Sequence, residues 1–289
     1  MLRYAADRKT LVYMLITTVL LVYQWSLNYF VPWLVFLSCV MGVTVSVIAH
    51  NHNHLGVFRS KNLNRLMDYW LTLFYGFPAF GWIPTHNMNH HKENNRARDY
   101  TVTWRFTESN NLLTLLTYPT ISGFYQQKPI RDYLRLQWST NRGRFWFYIS
   151  QYILLGLFVA AALVIDWRKA LLLIVLPQQV ALFSVLIFNY VQHVHCDEES
   201  DINHSRNIVG WGLNALLLNN GFHTIHHMKP GLHWSETPKA HAELVAPRID
   251  PSLNERSFWW FIIRAYVLSL VIPSLKTQSM RVRRLAATT

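Results

Sequence analysis

Only two of the 289 residues are cysteine, Cys39 and Cys196. Two thiols cannot build a disulfide framework, a cysteine-rich zinc module or a four-thiolate iron–sulfur cluster within one chain. Acidic residues are also few: 15 Asp and Glu stand against 27 Lys and Arg, for a formal net charge of +12. Charged residues make up 15% of the chain and hydrophobic residues 51%, which is too apolar for an ordinary soluble surface and excludes a disordered chain. Neither a glycine-rich dinucleotide fingerprint nor a haem-attachment motif occurs. Any redox chemistry here needs ligands other than sulfur and electrons from a separate protein. What the chain has instead is histidine, 14 in all, most of them in a few short clusters.

Long apolar runs set the expected fold. Residues 11–25 and 29–49 are uncharged and separated by a short link, as a transmembrane helical hairpin requires. Residues 145–165 and 170–191 repeat the pattern around Asp166, Trp167, Arg168 and Lys169. The prediction is a single all-α integral membrane domain over residues 1–289, with two hairpins giving about four spans. Regions 50–144 and 192–289 would form a cytoplasmic helical cap. The run 67–84 holds Asp68 and is interrupted by Gly76, Pro78, Gly81 and Pro84, so it reads as a short or re-entrant helix. Residues 258–275, with Arg264 among aromatics, are read with the same caution.

Arg3, Arg8 and Lys9 ahead of the first run also fit a cleavable signal peptide. The second run follows too closely, with no small-residue cleavage site between, so a retained anchor is expected. Most Lys and Arg lie in the N-terminal segment, in 55–144 and after 191, which the positive-inside rule assigns to the cytoplasm. Such residues, among them Arg59, Arg131 and the tail Arg281, Arg283 and Arg284, suit attraction to anionic lipid. They also suit docking of an acidic redox partner or acyl carrier protein. No nucleic-acid-binding module accompanies them, and no nucleic-acid partner is expected.

The histidine clusters sit at the ends of the apolar runs. His50-Asn-His52-Asn-His54 closes the first hairpin, and helical spacing puts His50 and His54 on one face with His52 elsewhere. In His86-Asn-Met-Asn-His90-His91 the same spacing pairs His86 with His90 and offsets His91 toward a second centre. Asn189 and His193 are four apart at the end of the second hairpin, and in His223-Thr-Ile-His226-His227 the first histidine overlies both others. A single interfacial histidine is more often a surface or hydrogen-bonded residue than a ligand. Four clusters predicted on one side supply too many imidazoles for one four-coordinate zinc, and two metal ions are the economical count. Imidazole suits iron, zinc, copper and nickel alike. A metal transporter is the chief non-enzyme alternative, although transporter sites sit near the bilayer midplane on broken helices. A structural metal protein would not need two centres.

These residues resemble the histidine boxes of the integral-membrane fatty acid desaturase and hydroxylase superfamily. The boxes are His50-x3-His54, His86-x3-His90-His91 and His223-x2-His226-His227, with Asn189-x3-His193 matching the family's further ligand pair. The similarity runs over about residues 10–240. The resemblance implies two iron ions held by His50, His54, His86, His90, His91, His193, His223, His226 and His227, with Asn189 reaching iron through water. It also implies dioxygen as co-substrate, a long acyl chain as substrate (on lipid, coenzyme A or acyl carrier protein) and a ferredoxin- or cytochrome-type electron donor with its reductase. The implied setting is a bacterial inner membrane with the active site facing the cytoplasm.

Asn189-Tyr190 and His204-Ser205-Arg206-Asn207 also resemble alkane hydroxylases, whereas 219–223 and Pro230-Gly231-Leu232-His233-Trp234 look closer to bacterial desaturases. Desaturation is therefore the first expectation, and hydroxylation or terminal-alkene formation the alternative. Outside the boxes, His195, His204, Asp99 and Asp197 are the candidates for orienting ligand imidazoles.

Overall fold

The computed structural model describes residues 1–288. The chain is mostly helical. In order it forms α1 (Arg8–Ser26), α2 (Pro32–His54), α3 (Lys61–Tyr75), a wide helix at Ile83–His90, α4 (His91–Glu93), α5 (Leu112–Thr140), α6 (Arg142–Lys169), a second wide turn at Ala170–Val175, and α7 (Leu176–His193). The strand β1 (Asn207–Ile208), α8 (Trp211–Leu216), α9 (His223–Met228), α10 (Thr237–Leu244), β2 (Asn254–Glu255), α11 (Phe258–Ile262) and α12 (Met280–Thr288) follow. Contacts divide the chain into two compact units, Met1–Thr85 with Lys128–Val185, and His86–Gln127 with the chain from Leu186 onward.

In the first unit small apolar clusters, such as Leu20 with Leu34 and Met41, are accompanied by buried polar side chains and by apolar ones that face outward. Thr10, Thr17, Gln24, Ser38, Gln151 and Gln178 are buried, while Val12, Leu15, Val19, Val22, Leu157 and Val164 are exposed. Large apolar side chains at i, i+3, i+7 and i+10 of α1 thus face outward, which water disfavours and hydrocarbon accepts. The inward polar groups are hydrogen-bonded: Gln24 Nε2 donates to Ser38 Oγ at 2.8 Å, and Trp70 Nε1 to Thr18 Oγ1 at 3.0 Å. Segments Pro32–His54 and Arg142–His193 are long and apolar enough to cross a membrane.

Asp166 breaks the second segment (φ −156°, ψ 96°), and its Oδ1 accepts from the backbone N–H of Arg168 and Lys169, capping the restarted helix. The link read from sequence as four residues is therefore one residue with its cap. α7 then passes α2 so closely that a Cβ on Gly42 would lie 2.7 Å from the Pro177 carbonyl oxygen. The run expected as a short or re-entrant helix over 67–84 is different: α3 begins earlier, capped by Ser60, and ends at left-handed Gly76. It is an amphipathic helix with Met67, Leu71 and Tyr75 buried.

The second unit is organised by polar side chains that replace regular structure. Asn207 accepts from the Thr224 N–H (2.9 Å) and donates to Thr224 Oγ1 (3.0 Å). Asn214 accepts from the Gly221 N–H (3.0 Å) and donates to the Ile208 carbonyl (2.7 Å). β1 and β2 pair in parallel over two residues, and Cys196, Ile225, Val245, Ile249 and Leu253 form a small apolar core. The turn into α9 is so tight that a Cβ on Gly221 would stand 2.1 Å from the Ile208 carbonyl oxygen. Gly221→Ala should lower the thermal unfolding midpoint of the purified protein, by the equivalent of about 1–3 kcal/mol. Gly212→Ala, where an added Cβ meets nothing within 4 Å, should not. Equal midpoints for the two variants would refute the packing argument.

Candidate metal centre

The first box ends α2 in the first unit. His50 and His54 share a helix face with ring centroids 5.0 Å apart, and His50 stacks on Trp82 at 5.1 Å. His52 points elsewhere: its Nε2 lies 3.4 Å from Asp68 Oδ1, and its Nδ1 accepts from the Val57 N–H.

The remaining boxes lie in the second unit and form two neighbouring groups. In one, the ligand-type nitrogens of His90, His193, His223 and His227 all lie within 4.8 Å of one another. His193 and His223 approach Nε2 to Nε2 at 2.9 Å, and His227 and His223 at 3.2 Å. In the other, His91 Nε2 is 3.0 Å from the Nε2 atoms of both His86 and His226. The His91 ring stacks on that of His227 at 4.4 Å, so the groups abut.

The grouping differs from the expectation of an ordinary helix. His86 does stack on His90, with ring centroids 5.2 Å apart as the four-residue spacing expects, but its Nε2 meets that of His91, because Ile83–His90 is a π-helix, whose i to i+5 repeat brings residues five apart together. His90 is thereby turned to the four-histidine group. In α9 the four-residue spacing holds for His223 and His227, while His226 faces His91.

One nitrogen shows what the arrangement is for. His90 Nδ1 lies 2.7 Å from Asp99 Oδ2, and both residues are almost wholly buried. The Asp99 carboxylate is saturated by donors: the Asn95 N–H (2.8 Å), and the N–H and hydroxyl of Thr101 (both 2.7 Å). Burial alone would raise the Asp99 carboxyl, but the His90 imidazole and the Thr101 donors outweigh it and hold the group below the ordinary carboxylate range. The ionised Asp99 accepts from His90 Nδ1, and the opposite ring nitrogen, Nε2, is buried and without a hydrogen-bond partner.

Such an atom, aimed into a cluster of imidazole nitrogens, fits a cation. Two nitrogens each about 2.1 Å from one ion and at right angles to it lie about 3.0 Å apart, matching the observed separations. Burial, and then neighbouring imidazoles, also hold His227 well below its usual 6.5, so that it is neutral and able to ligate at neutral pH.

The other sequence candidates fall into place around this core. Asn189 Nδ2 donates to Tyr118 Oη at 2.6 Å, and that hydroxyl donates to the Thr101 carbonyl at 2.5 Å, so Asn189 is tied to the loop that holds His90. His204 contributes through its backbone: its carbonyl accepts from His193 Nδ1 at 3.2 Å, while burial pushes its own ring down to about 4. His195 is engaged elsewhere, donating to the Glu108 carbonyl and accepting from the Thr277 hydroxyl. Asp197 pairs with Arg284 of α12 at 2.7 Å. Neither bond of His195 nor that of Asp197 goes to a box histidine. Thr101 and Asn95 escaped the sequence reading, because the polar stretch from 94 to 103 has no periodicity to mark them, and Tyr118 escaped it as one aromatic among the apolar residues of α5.

Residues 25–259 match the family described as fatty acid desaturase. The chain belongs to the fatty acid desaturase family. No curated protein and no solved structure matches it. Membership makes it an oxidoreductase of the type that acts on fatty acids, in a family that is typically di-iron and generally membrane-bound. The donor set fits that metal: imidazoles in two adjoining groups, with His193 and His227 held well below 6.5 by burial and His90 held by a carboxylate.

Two measurements follow from the His90–Asp99 pair and the neutral imidazoles. Asp99→Asn should weaken metal retention about 10- to 100-fold in a chelator competition read by elemental analysis. Protons compete with metal for imidazole, so lowered values postpone that competition to lower pH. Dialysis over a pH series should show half-loss of metal clearly below 6.5, and a midpoint at or above 6.5 would contradict the burial of His227.

Proposed function

We propose that this desaturase-family protein inserts a double bond into a long acyl chain, using dioxygen and electrons from a separate ferredoxin- or cytochrome-type donor. The observation that carries the reading is the buried, unpartnered Nε2 of His90 among converging imidazoles, in a chain matched by the family over residues 25–259. Two irons would be held by His86, His90, His91, His193, His223, His226 and His227, with His50 and His54 entering on the strength of the family's first box and Asn189 through water.

An unactivated methylene has no acidic hydrogen, so no side chain here can remove one as a proton at neutral pH. Bound iron would activate dioxygen, the oxidant, for that step. Removal of two hydrogens from adjacent carbons yields two electrons. Two more come from the donor, and with two protons from solvent one dioxygen becomes two waters. The chain's own part is to orient the ligands through Asp99, Thr101 and the His204 carbonyl, and to keep His193 and His227 neutral by burial. The outward apolar faces of α1 and α6 support four spans in a bacterial inner membrane, and the excess of Lys and Arg supports a cytoplasmic site.

Expression with a compatible redox partner, in a bacterium lacking acyl-chain oxidases, should produce a new dioxygen-dependent double bond. Purified protein should contain about two irons per chain. His226→Ala should lose the product and part of the iron. Hydroxylated chains or terminal alkenes would replace desaturation with another oxidation at the same centre. Tightly held zinc with no iron-dependent product, together with metal flux in vesicles, would point to a transporter.

A further inference from the structure

Two irregular segments of the second unit follow histidines of the metal centre: 94–111 after His90 and His91, and 194–206 after His193. Neither contains a helix or a strand, so side-chain contacts fix their course. The C-terminal segment from Thr277 to Arg284 touches both. The Thr277 hydroxyl accepts from Asn110 Nδ2 and donates to His195 Nδ1, each at 2.8 Å, and the Met280 N–H donates to the His195 carbonyl at 3.1 Å. His195, two residues beyond His193, has φ 63°. That left-handed backbone is one a non-glycine residue keeps only where its surroundings hold it.

Arg281 is the centre of this contact. Its Nε donates to Glu198 Oε1 at 3.0 Å and its Nη1 to Glu108 Oε1, one carboxylate from each segment. The Glu198 side chain is only 5% exposed, so solvent screens the bond less than it would on an open surface. The Arg281 guanidinium also lies 3.8 Å from the centre of the Trp104 ring. Trp104 Nε1 donates in turn to the Asn95 carbonyl at 3.0 Å, and the Asn95 N–H is one of the donors that hold Asp99 against His90. Arg284 adds bonds to Asp197 at 2.7 Å and to Glu198 at 2.9 Å. Where Arg281 meets the two segments the remaining cavity is about 10 Å³, room for no more than one water.

We infer that the C-terminal segment is a clasp for the four-histidine group, and that Arg281 is a positioning residue that fixes His90 and His193 through the segments that follow them. The inference rests on the metal-centre reading of those histidines and is independent of what the centre oxidises. His90 and His193 belong to one group, so one of two bound ions should respond.

The test uses full-length protein in detergent, loaded anaerobically with ferrous iron and challenged with a chelator while released iron is followed with time. Arg281→Gln should speed release of one equivalent about tenfold or more and leave the second within about twofold. General destabilisation would speed both alike. Arg281→Lys should recover part of the loss, since charge persists without the fork. Arg283→Gln, the same change of charge at an exposed position of α12, should release iron as the wild type does. Glu108→Gln should act in the same direction as Arg281→Gln, and the double variant should be no faster than Arg281→Gln alone, because both residues act through one contact.

Release from Arg281→Gln at the wild-type rate, or acceleration of both equivalents together, overturns the inference. Wild-type protein that holds two irons, with Arg281→Gln holding them equally well, keeps the metal centre and loses the clasp. Wild-type protein that retains no iron overturns the metal-centre reading and the clasp with it.

Discussion

The bond between Asp99 and His90 is the interaction on which the second unit most depends. A carboxylate with almost no exposure is tolerable only if its oxygens are satisfied, and here backbone N–H groups, a threonine hydroxyl and an imidazole meet that need. In return it holds His90 by Nδ1 and aims an unpaired nitrogen at three other histidines. The residues around it are held by the same logic. Asn95 also reaches the His193 carbonyl, Tyr118 bonds the Thr101 carbonyl, and the buried Arg206 donates to the carbonyls of Val191 and Val194 near the end of α7. Side chains and backbone carbonyls thus do the positioning work that sheets or long helices do in other proteins.

Histidines packed nitrogen to nitrogen at about 3 Å are poor neighbours in the absence of a cation. The buried Nε2 of His90, which has no hydrogen-bond partner, costs on the order of 1–3 kcal/mol, and protonation of His227 is opposed by burial and by adjoining imidazoles. The arrangement is thus a binding site whose own stability is linked to its ligand. The first unit solves a different solvation problem. It hides Thr17, Gln24 and Gln151 and presents Val12, Leu15 and Val19 outward, so internal polar pairing and close helix approach add to the small apolar clusters around Leu20, Leu34 and Met41 and around Phe80 and Tyr148.

The C-terminal helix is joined to the centre's surroundings by charge. Arg281 and Arg284 of α12 pair with Glu108, Asp197 and Glu198, the last two in the turn that follows His193. The acidic run Asp197–Glu199 therefore fastens the tail, and Glu199 additionally pairs with Arg96 beyond the second box. Its proximity to His193 in sequence made it a candidate for orienting ligands. Its partners show that it orients chain segments instead.

The helical character and the apolar runs were legible in the sequence, because each depends on local composition and spacing. Apolar runs of some twenty residues demand helices, and four-residue spacing correctly put His50 with His54 and His223 with His227. Partnership among the boxes was not legible. The wider turn at Ile83–His90 brings the His91 Nε2 to 3.0 Å from that of His86, while the His90 ring, still stacked on His86 at 5.2 Å, gives its nitrogen to the other group, and helical wheels drawn from sequence assume the ordinary repeat. Nor does sequence spacing show that Asp99 serves His90 while Asp197 serves Arg284, since both are carboxylates a few residues beyond a box. Residue type determines what a side chain can ligate or pair with; only the packed backbone decides which partner stands within 3 Å.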